Sequence, residues 1–532
     1  MQRIKKNLLY GISLLSAPLC CFGATWKNPT TIGTDAKWGA TTLNSFRPLG
    51  IAINNEGYAI AGWRGQNDGF GRTFQIETLG TLGSYAVGGS SGRHVEVDIN
   101  NTGSTALVML SASNIVFGVG GSYLNGGIWP TVPSASGGAL QFSAAASDTP
   151  KVQINDDGTI LSAWRNSSGG QTIQASILLP GAAVPTLTPT TIYTATGTLD
   201  LANALPALSM SKVTGDASFY WSESGASPQT ARAAIFNGYT WLVSPALDTQ
   251  ATDPRGMSFI NDKGQAIAAW RATDGTDHSM RVSLFLNGTW TPNQSLSGAD
   301  TNTVDAPQAG IDNEGRAVAV WNSPSTITLS QIKTAHYDGN SWTEESTLSS
   351  VGGWGPRLAV CRTTGKAVAT WIFNEGSVSS IQAALFYNGS WTSPVNIVTA
   401  ALGDISGPVV AINDDGNTVV GWRSQSTATV GSGNFYTMVS WLSAQAVNVT
   451  GQTINQRYLS GTNFIKRITW EPDPFQTVLT YQISRNGVNI GEVPGSGPYY
   501  FDDNNQKAGV TSTYSIVAVT RAGSGDAVEV NI

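Results

Sequence analysis

The stretch INDDGTILSAWR, at residues 154 to 165, recurs almost unchanged as INDDGNTVVGWR at 412 to 423. Two more copies, INNEGYAIAGWR and INDKGQAIAAWR, stand at 53 to 64 and at 260 to 271. Looser copies fill the intervals, and a shared glycine then marks eight units spaced by 46 to 57 residues, at Gly57, Gly103, Gly158, Gly215, Gly264, Gly315, Gly365 and Gly416. A period near fifty residues indicates a repeat architecture.

Each unit predicts four antiparallel β-strands. An apolar segment leads into a turn rich in Asn, Asp and Gly and returns as a second apolar segment, which is the pattern of a β-hairpin. The returning strand is apolar on both faces, as expected for a strand between two neighbouring sheets. It carries a Trp six residues after the glycine in every unit except the second, where Met109 takes this place. A third and a fourth strand follow, joined in several units by a second turn of the Asn-Gly or Asp-Gly type.

Eight such units predict an all-β fold with an eight-bladed β-propeller over residues 24–444. The eighth unit lacks a fourth strand, whereas residues 25–33 have the pattern of a fourth strand but precede the first hairpin. We therefore expect the amino-terminal strand to complete the last blade and close the ring, because closure removes exposed sheet edges. An open solenoid would share the period, but it would not leave complementary deficits at its two ends.

The units resemble those of secreted bacterial β-propeller repeat proteins built on P-x-V-A-V-N-x-x-G-x-A-V-A-V-W. The segment PLGIAINNEG at 48 to 57 also resembles NHL repeats, although Trp stands later in the unit where those repeats carry Ala-Asp. The resemblance covers the repeated part of the chain and implies a propeller fold. It implies no particular activity, since propellers host many functions.

Residues 445–532 break the repeat and resemble a fibronectin type III domain. The likeness rests on Trp470 in an early strand, Tyr481 in the next strand, and the segment STYSIVAVTRAG at 512 to 523. Within that segment, the resemblance implies that Tyr514 forms a tyrosine corner. Domains of this family usually act as spacers or in adhesion.

Residues 1–23 have the pattern of a secretory signal peptide, with a basic tip, an apolar run and small residues near Gly23. We therefore expect a secreted or a cell-surface/periplasmic protein, with lipidation at Cys20 or Cys21 as an alternative. Removal of the leader would leave Cys361 as the single cysteine, which excludes an intramolecular disulfide in the mature chain. Cys361 falls at an apolar position of its unit, so we expect a buried thiol.

The charge and the hydropathy pattern exclude two classes of partner. The formal net charge is −6, and the leader holds three bases and no acid, so the mature chain would be more acidic still. Nucleic acid is therefore not an expected partner. No segment after the leader approaches the roughly 20 apolar residues that a membrane-spanning helix needs, so we expect no membrane insertion.

The sequence offers no evident catalytic constellation. The three histidines, His94, His278 and His336, lie in different units, so neither a clustered metal site nor a cofactor is expected. The carboxylates of the repeated turns recur in nearly every unit, which is typical of turn formers rather than of catalytic acids. The unrepeated Glu223 and Glu375 have no evident partner. Because propellers host many functions, a propeller-type glycoside hydrolase or lyase is an alternative.

The predicted ligand-binding site combines two unrepeated tryptophans with a ring of arginines. Trp38 and Trp354 stand outside the repeated framework and are predicted in loops that join successive blades. Four arginines directly follow framework tryptophans and are predicted to start loops on the same face: Arg64, Arg165, Arg271 and Arg423. They would attract an anionic or polyhydroxy ligand, with the tryptophans as aromatic faces. Alternatively, each arginine binds a carbonyl or an acid of the adjacent blade, as repeated residues usually do.

These patterns together predict a secreted, monomeric, non-enzymatic binding or adhesion protein. One propeller face would contact a glycan or a protein at a cell surface. A structural envelope protein is the second alternative beside the glycoside hydrolase or lyase.

Overall fold

The computed structural model describes residues 25–37, 49–64, 69–78, 81–87, 95–110, 116–122, 140–141, 147–166, 171–180, 189–200, 208–224, 229–249, 251–273, 278–297, 304–323, 329–401, 405–425, 434–459 and 461–532. All structural statements below refer to these residues. Every regular element among them is a β-strand. The expected all-β class is therefore confirmed.

Thirty-five strands precede the carboxy-terminal part of the chain. The first eighteen are β1 (Thr30–Lys37), β2 (Leu49–Ile53), β3 (Tyr58–Arg64), β4 (Gly69–Gln75), β5 (Thr81–Val87), β6 (Val95–Ile99), β7 (Ser104–Leu110), β8 (Val116–Ser122), β9 (Leu140–Gln141), β10 (Ser147–Ile154), β11 (Ile160–Asn166), β12 (Thr172–Leu178), β13 (Thr190–Thr194), β14 (Thr198–Asp200), β15 (Leu208–Met210), β16 (Ala217–Ser224), β17 (Thr230–Phe236) and β18 (Trp241–Val243). The next seventeen are β19 (Ala251–Ile260), β20 (Ala266–Thr273), β21 (His278–Leu286), β22 (Thr289–Trp290), β23 (Gln294–Ser295), β24 (Asp305–Ile311), β25 (Ala317–Ser323), β26 (Gln331–Tyr337), β27 (Ser346–Thr347), β28 (Gly353–Val360), β29 (Ala367–Glu375), β30 (Val378–Tyr387), β31 (Ser390–Trp391), β32 (Val395–Ala401), β33 (Ile405–Ile412), β34 (Thr418–Gln425) and β35 (Asn434–Trp441).

In the described residues these strands form eight antiparallel sheets of four or five strands. Sheet 1 comprises β2 to β5, sheet 2 β6 to β9, sheet 3 β10 to β13, sheet 4 β14 to β18, sheet 5 β19 to β23, sheet 6 β24 to β27, sheet 7 β28 to β32, and sheet 8 β33 to β35 together with β1. Each sheet packs against the next one in the chain, and β33 and β34 of sheet 8 pack against β2 of sheet 1. Contacts therefore pass from sheet to sheet through the whole set and return to the start.

The repeated glycines lie in the hairpin turns between the first two long strands of each sheet. All eight have a positive φ, between 72° and 94°. This backbone region is strained for other residues and costs glycine little. We call the side of the molecule that carries these eight turns the turn face.

An asparagine stands three residues before the turn glycine in five of the eight units, and its hydrogen bonds explain why the motif recurs. The side-chain oxygen of Asn413 accepts hydrogen bonds from two backbone N–H groups of its own turn, and its Nδ2 donates to the carbonyl of Asn54 in sheet 1, at 2.8 Å. Asn54 in turn donates to Asn100 of sheet 2, and Asn100 to Asn155 of sheet 3. One side chain thus shapes a hairpin and joins it to the next sheet.

The tryptophans of the second strands are framework residues, as predicted. The seven that stand six residues after a turn glycine are each 5% exposed or less: Trp63, Trp164, Trp221, Trp270, Trp321, Trp371 and Trp422. Burial of apolar side chains on both faces is what holds a strand between two sheets.

The amino-terminal strand completes sheet 8. β1 pairs antiparallel with β35, and Trp26 forms an isolated bridge with Leu442. The strand proper begins at Thr30, later than the segment 25–33 that the sequence predicted. Arg72 of sheet 1 donates to the carbonyl of Ile32 at 2.8 Å, so that β1 also contacts sheet 1.

Two further sheets follow in residues 445–532, which we call the C-terminal sandwich. Its strands are β36 (Val447–Tyr458), β37 (Gly461–Glu471), β38 (Thr480–Arg485), β39 (Val488–Pro494), β40 (Tyr500–Gln506), β41 (Thr513–Thr520) and β42 (Gly523–Asn531). The sheet orders are β36-β37-β40 and β39-β38-β41-β42. Trp470, Tyr481 and Tyr514 are buried in one core between them.

Tyr514 differs from the expected tyrosine corner. In that corner the hydroxyl bonds to backbone a few residues upstream, whereas the hydroxyl of Tyr514 donates to the carboxylate of Asp503 at 2.7 Å. Arg485 binds the same carboxylate oxygen at 2.7 Å. The carboxylate on β40 therefore takes the place of the expected backbone acceptor.

Candidate functional site

The structure describes the side chains of three of the four predicted arginines, and none of these three is fully exposed. Arg165 donates to the carbonyl of Leu199 in sheet 4, at 2.6 Å, which is the alternative contact considered for these residues. Arg423 is only 2% exposed, and Arg271 is half-buried within β20. Arg64 ends β3, and its side chain lies outside the described residues, as do most of the loops that follow the second strands.

Of the two predicted tryptophans, Trp38 lies outside the described residues and Trp354 is not in a loop. Trp354 is the second residue of β28, where it pairs with Ile372 of β29. Its ring is half-buried against a core cluster that includes Ile372 and Trp422. The predicted loop is instead part of an extended strand, which has a bulge between Trp354 and Arg357. Trp354 is thus a packing residue between sheets 7 and 8.

Glu223, which had no evident partner in the sequence, is enclosed by hydrogen bonds at the boundary of sheets 3 and 4. Its carboxylate accepts the hydroxyl of Tyr193 at 2.7 Å and two backbone N–H groups, of Thr196 and Gly197, each at 2.8 Å. Burial alone would raise the pKa of Glu223, but these hydrogen bonds hold it below the usual value.

The partner of that carboxylate is equally unsuited to catalysis. Burial and the neighbouring Glu223 raise the pKa of Tyr193 to about 12. A tyrosine that is harder to ionise is a poor nucleophile, and a carboxylate whose lone pairs are taken is a poor base. We therefore interpret this cluster as a link between two sheets.

A cavity of about 250 Å³ lies at the turn face where the ends of the first strands converge. Lys212 reaches into it from the turn of sheet 4 and donates to Asp98 at 2.5 Å and to the carbonyls of Ile99 and Ile154. Burial lowers the pKa of Lys212, and the carboxylate of Asp98 opposes this effect. All three ammonium protons therefore have acceptors.

A second cation, the guanidinium of Arg362, also lines this cavity. Arg362, in the turn of sheet 7, donates to the carbonyls of Ile260 and Met210 at 2.9 Å and stands over the ring of Phe259. Together with Lys212, it caps strand-end carbonyls of sheets 2 to 5. Both cations that line this cavity are thus held by backbone carbonyls.

A second cavity, of about 260 Å³, is a groove between sheets 6 and 7 at the turn face. We call it the 6/7 groove. Val318 and His336 of sheet 6 and Phe386 of sheet 7 contribute to its wall, and the rings of His336 and Phe386 are 5.5 Å apart. Asp338 and Asn388 stand exposed at its rim. We call the rings of His336 and Phe386 the aromatic floor of the groove. The polar side chains stand at its mouth.

Arg316 is held at the mouth of the 6/7 groove by an ion pair. Its Nε donates to Asp312 at 2.7 Å, and the Asp312 carboxylate has no exposed surface, whereas the Arg316 side chain is 48% exposed. Asp312 also accepts the backbone N–H groups of Glu314 and Arg316. The pair fixes the guanidinium in place and leaves part of it facing solvent.

The neighbouring groove, between sheets 7 and 8, is filled by the C-terminal sandwich. Phe475 is fully buried there in a cluster with Leu385 and Leu442. Lys366 donates to the carbonyl of Phe475 at 2.7 Å, and its ammonium stands 5.8 Å from the centre of the phenyl ring. Asp415 accepts the backbone N–H of Thr477. We call this the 7/8 groove.

The two grooves have equivalent walls. In each groove, the first wall residue directly follows the turn glycine, and the second stands two residues further along the same strand. The third is the cross-strand partner of the second residue. The fourth wall residue comes from the next sheet. In the 6/7 groove these are Arg316, Val318, His336 and Phe386; in the 7/8 groove they are Lys366, Val368, Leu385 and Leu442. An occupied groove and an open one thus lie side by side.

The described residues contain no group of three or more His, Cys, Asp or Glu side chains that could hold a metal ion. They contain no helix long and apolar enough to span a membrane. Cys361 is buried, in line with its apolar position in the repeat.

Neither a family model nor a curated protein matches the chain. Solved structures that resemble it include the BP39L lectin from Burkholderia pseudomallei, with 11% identity over 66% of this chain and 99% of the lectin, at a TM-score of 0.45. The Dos1 propeller shares 10% identity over 79% and 95% of the two chains (TM-score 0.44), and a PL25 ulvan lyase 10% over 77% and 95% (TM-score 0.40). None of these similarities is close enough to transfer a function.

Proposed function

We propose that this chain is a secreted or cell-surface/periplasmic, non-enzymatic binding protein. Its eight sheets would be the blades of a β-propeller closed by β1, and residues 445–532 a fibronectin type III-like domain. The ligand, a glycan or a protein at a cell surface, would be bound at the turn face. One observation carries this proposal: the 6/7 groove is open and bears an aromatic floor with a guanidinium at its mouth.

The chemistry of the groove favours binding over catalysis. Asp312, the buried carboxylate in its wall, is neutralised by Arg316 and by two backbone N–H groups. Hydrogen bonds from Ser341 and Asn340 hold the pKa of the exposed Asp338 below its usual value, so Asp338 is ionised at neutral pH. Asp338 is therefore not suited to donate a proton to a leaving group. An aromatic face with a fixed cation is a common recognition surface.

The test uses a variant that copies a neighbouring turn of the same protein. Sheet 5 carries Asn261 and Gln265 in the positions of Asp312 and Arg316, and Asn261 Nδ2 donates to Gln265 Oε1 at 2.8 Å. The double variant Asp312→Asn/Arg316→Gln should therefore keep a satisfied turn while it removes the guanidinium. Its matched control is Lys263→Ala, which removes an exposed cation from the turn of sheet 5.

The measurement is binding of purified protein to a glycan array and, in parallel, capture of surface proteins from envelope extracts. The wild type and Lys263→Ala should retain the same ligand. The double variant should lose it while melting at the same temperature. If the double variant keeps the ligand, the 6/7 groove is not the binding site.

A further inference from the structure

We propose that the 6/7 groove binds a polypeptide segment that presents an aromatic side chain, as the protein's own Phe475 segment does in the 7/8 groove. This inference rests on the proposed binding function of the turn face and narrows its ligand class from glycan or protein to polypeptide.

The 7/8 groove shows how such a segment is held. Phe475 inserts its ring between sheets 7 and 8, where none of it is exposed. Its carbonyl accepts the ammonium of Lys366, and the backbone N–H of Thr477 donates to the carbonyl of Asp415. Recognition thus combines one aromatic ring with two backbone groups on its carboxy-terminal side.

The 6/7 groove offers the same groups in the same places. Arg316 stands where Lys366 stands, directly after a turn glycine, and its guanidinium can donate to a peptide carbonyl. Thr364, like Asp415, directly precedes its turn glycine and turns a carbonyl toward this region, since that oxygen accepts Arg316 at 3.3 Å. Phe386 takes the place of Leu442 as an apolar wall.

The dimensions and the position of the groove fit this ligand. Its volume of about 260 Å³ exceeds the roughly 150 Å³ of an apolar cavity that accepts a benzene ring. Sheet 7 forms a wall of both grooves. A segment bound in the 6/7 groove would therefore lie beside the Phe475 segment in the 7/8 groove. Val318 and Phe386 offer no polar atoms to sugar hydroxyls, whereas a flat aromatic ring can pack against apolar and aromatic side chains.

The probe is a synthetic peptide with the sequence of residues 471–477, EPDPFQT, labelled for fluorescence anisotropy and titrated with the full mature chain. The protein's own segment occupies the 7/8 groove, so the free peptide reports on the 6/7 groove. We expect saturable binding of one peptide per chain. The same peptide with Phe475→Ala should bind about tenfold to a hundredfold more weakly, because burial of a phenyl ring contributes about 1.5–3 kcal/mol.

Two protein variants locate the bound peptide. Asp312→Asn/Arg316→Gln and, separately, His336→Ala should each weaken binding about tenfold or more, whereas Lys263→Ala should leave it unchanged. Because His336 is a half-buried wall residue outside the turn, its variant keeps the test valid if the double variant folds poorly.

The outcome separates this inference from the proposed function. Absence of peptide binding, or equal binding of the Phe475→Ala peptide, would overturn the inference. If an array glycan or a captured ligand still requires Arg316 in that case, the binding function of the groove stands and its ligand is of another class. If neither kind of ligand depends on the groove, both proposals fail.

Discussion

Glu77 lies where sheet 1, the segment ahead of β1 and the C-terminal sandwich meet. It follows β4 of sheet 1, and its side chain lies against Gly523 of the C-terminal sandwich. Lys27, ahead of β1, forms an ion pair with Asp526 of the sandwich at 2.5 Å nearby. Burial raises the pKa of Glu77 to about 7, and Asp526 adds to this effect while Lys27 opposes it. The ammonium of Lys27 is thus paired with Asp526 and not with Glu77.

Glu77→Gln should therefore change stability in a pH-dependent way. A carboxyl group with a raised pKa in the folded state contributes stability that is complete below about pH 4.5 and is lost as the pH rises through about 7. The glutamine variant cannot ionise, so we expect it to match the wild type near pH 5. At pH 8.5 it should be more stable by at most about 3 kcal/mol, since each pKa unit corresponds to about 1.4 kcal/mol.

The measurement is urea denaturation of both proteins at pH 5 and at pH 8.5. Glu314→Gln, an exposed substitution in the turn of sheet 6, serves as the control for the general effect of removing one charge. An equal difference between Glu77→Gln and the wild type at both pH values would show that Glu77 is not buried at this junction.

At the scale of elements, the loop between β37 and β38 attaches the sandwich to the sheets. Phe475 fills the 7/8 groove, while Ala522, in the loop between β41 and β42, packs into the cluster of sheets 8 and 1. The side chain of Gln476 donates to Asn417, which directly follows the turn glycine of sheet 8. Two different loops of the sandwich therefore pack against the sheets, one between sheets 7 and 8 and the other against sheets 8 and 1.

Phe475→Ala should loosen this attachment without unfolding either part. Truncation of a buried phenylalanine costs about 3–5 kcal/mol, and here the loss falls on the docked loop rather than inside a sheet. We expect a larger radius of gyration by small-angle X-ray scattering and faster proteolysis between residues 442 and 447. Leu479→Ala, at an exposed position of the same loop, is the control. Unchanged scattering and proteolysis would mean that Phe475 does not hold the sandwich.

The sequence predicted the repeated elements well because each is specified locally. The turn glycines and the framework tryptophans recur at fixed spacing, and spacing alone predicts a hairpin and a buried second strand. The predicted position of Trp354 was wrong because a residue outside the repeated framework was assigned to a loop between units, whereas β28 begins at Gly353. Such a difference depends on pairing with β29 and not on local composition.

The candidate groove could not be predicted from the sequence, because its wall combines residues of two neighbouring sheets. It also depends on positions at which the repeated units carry different residue types. The residue types at the positions of Arg316 and His336 vary from unit to unit. Alignment of the repeats therefore does not mark these two residues as functional. A groove becomes visible only when His336 of one sheet is placed against Phe386 of the next. The filling of the equivalent groove by Phe475 links residues more than a hundred positions apart.

At the scale of the whole molecule, successive sheets pack against one another and sheet 8 packs against sheet 1. β1 from the amino terminus completes sheet 8, whose β33 and β34 pack against sheet 1. β1 is separated from its partner β35 by almost the whole set of sheets. Thr31 and Met438 are direct partners in this pairing, and the Thr31 hydroxyl donates to the Met438 sulfur at 3.2 Å.

Ring closure is tested most directly by the double variant Thr31→Cys/Met438→Cys. Directly opposed residues of antiparallel strands lie at Cα distances that suit a disulfide. Under mild oxidation of the native protein we predict nearly complete cross-linking within single chains, seen as loss of both new thiols and as faster migration in non-reducing electrophoresis. The Thr31→Cys single variant should show neither change. Free thiols that persist in the folded double variant, or cross-links found only between chains, would contradict a ring closed by its own amino-terminal strand.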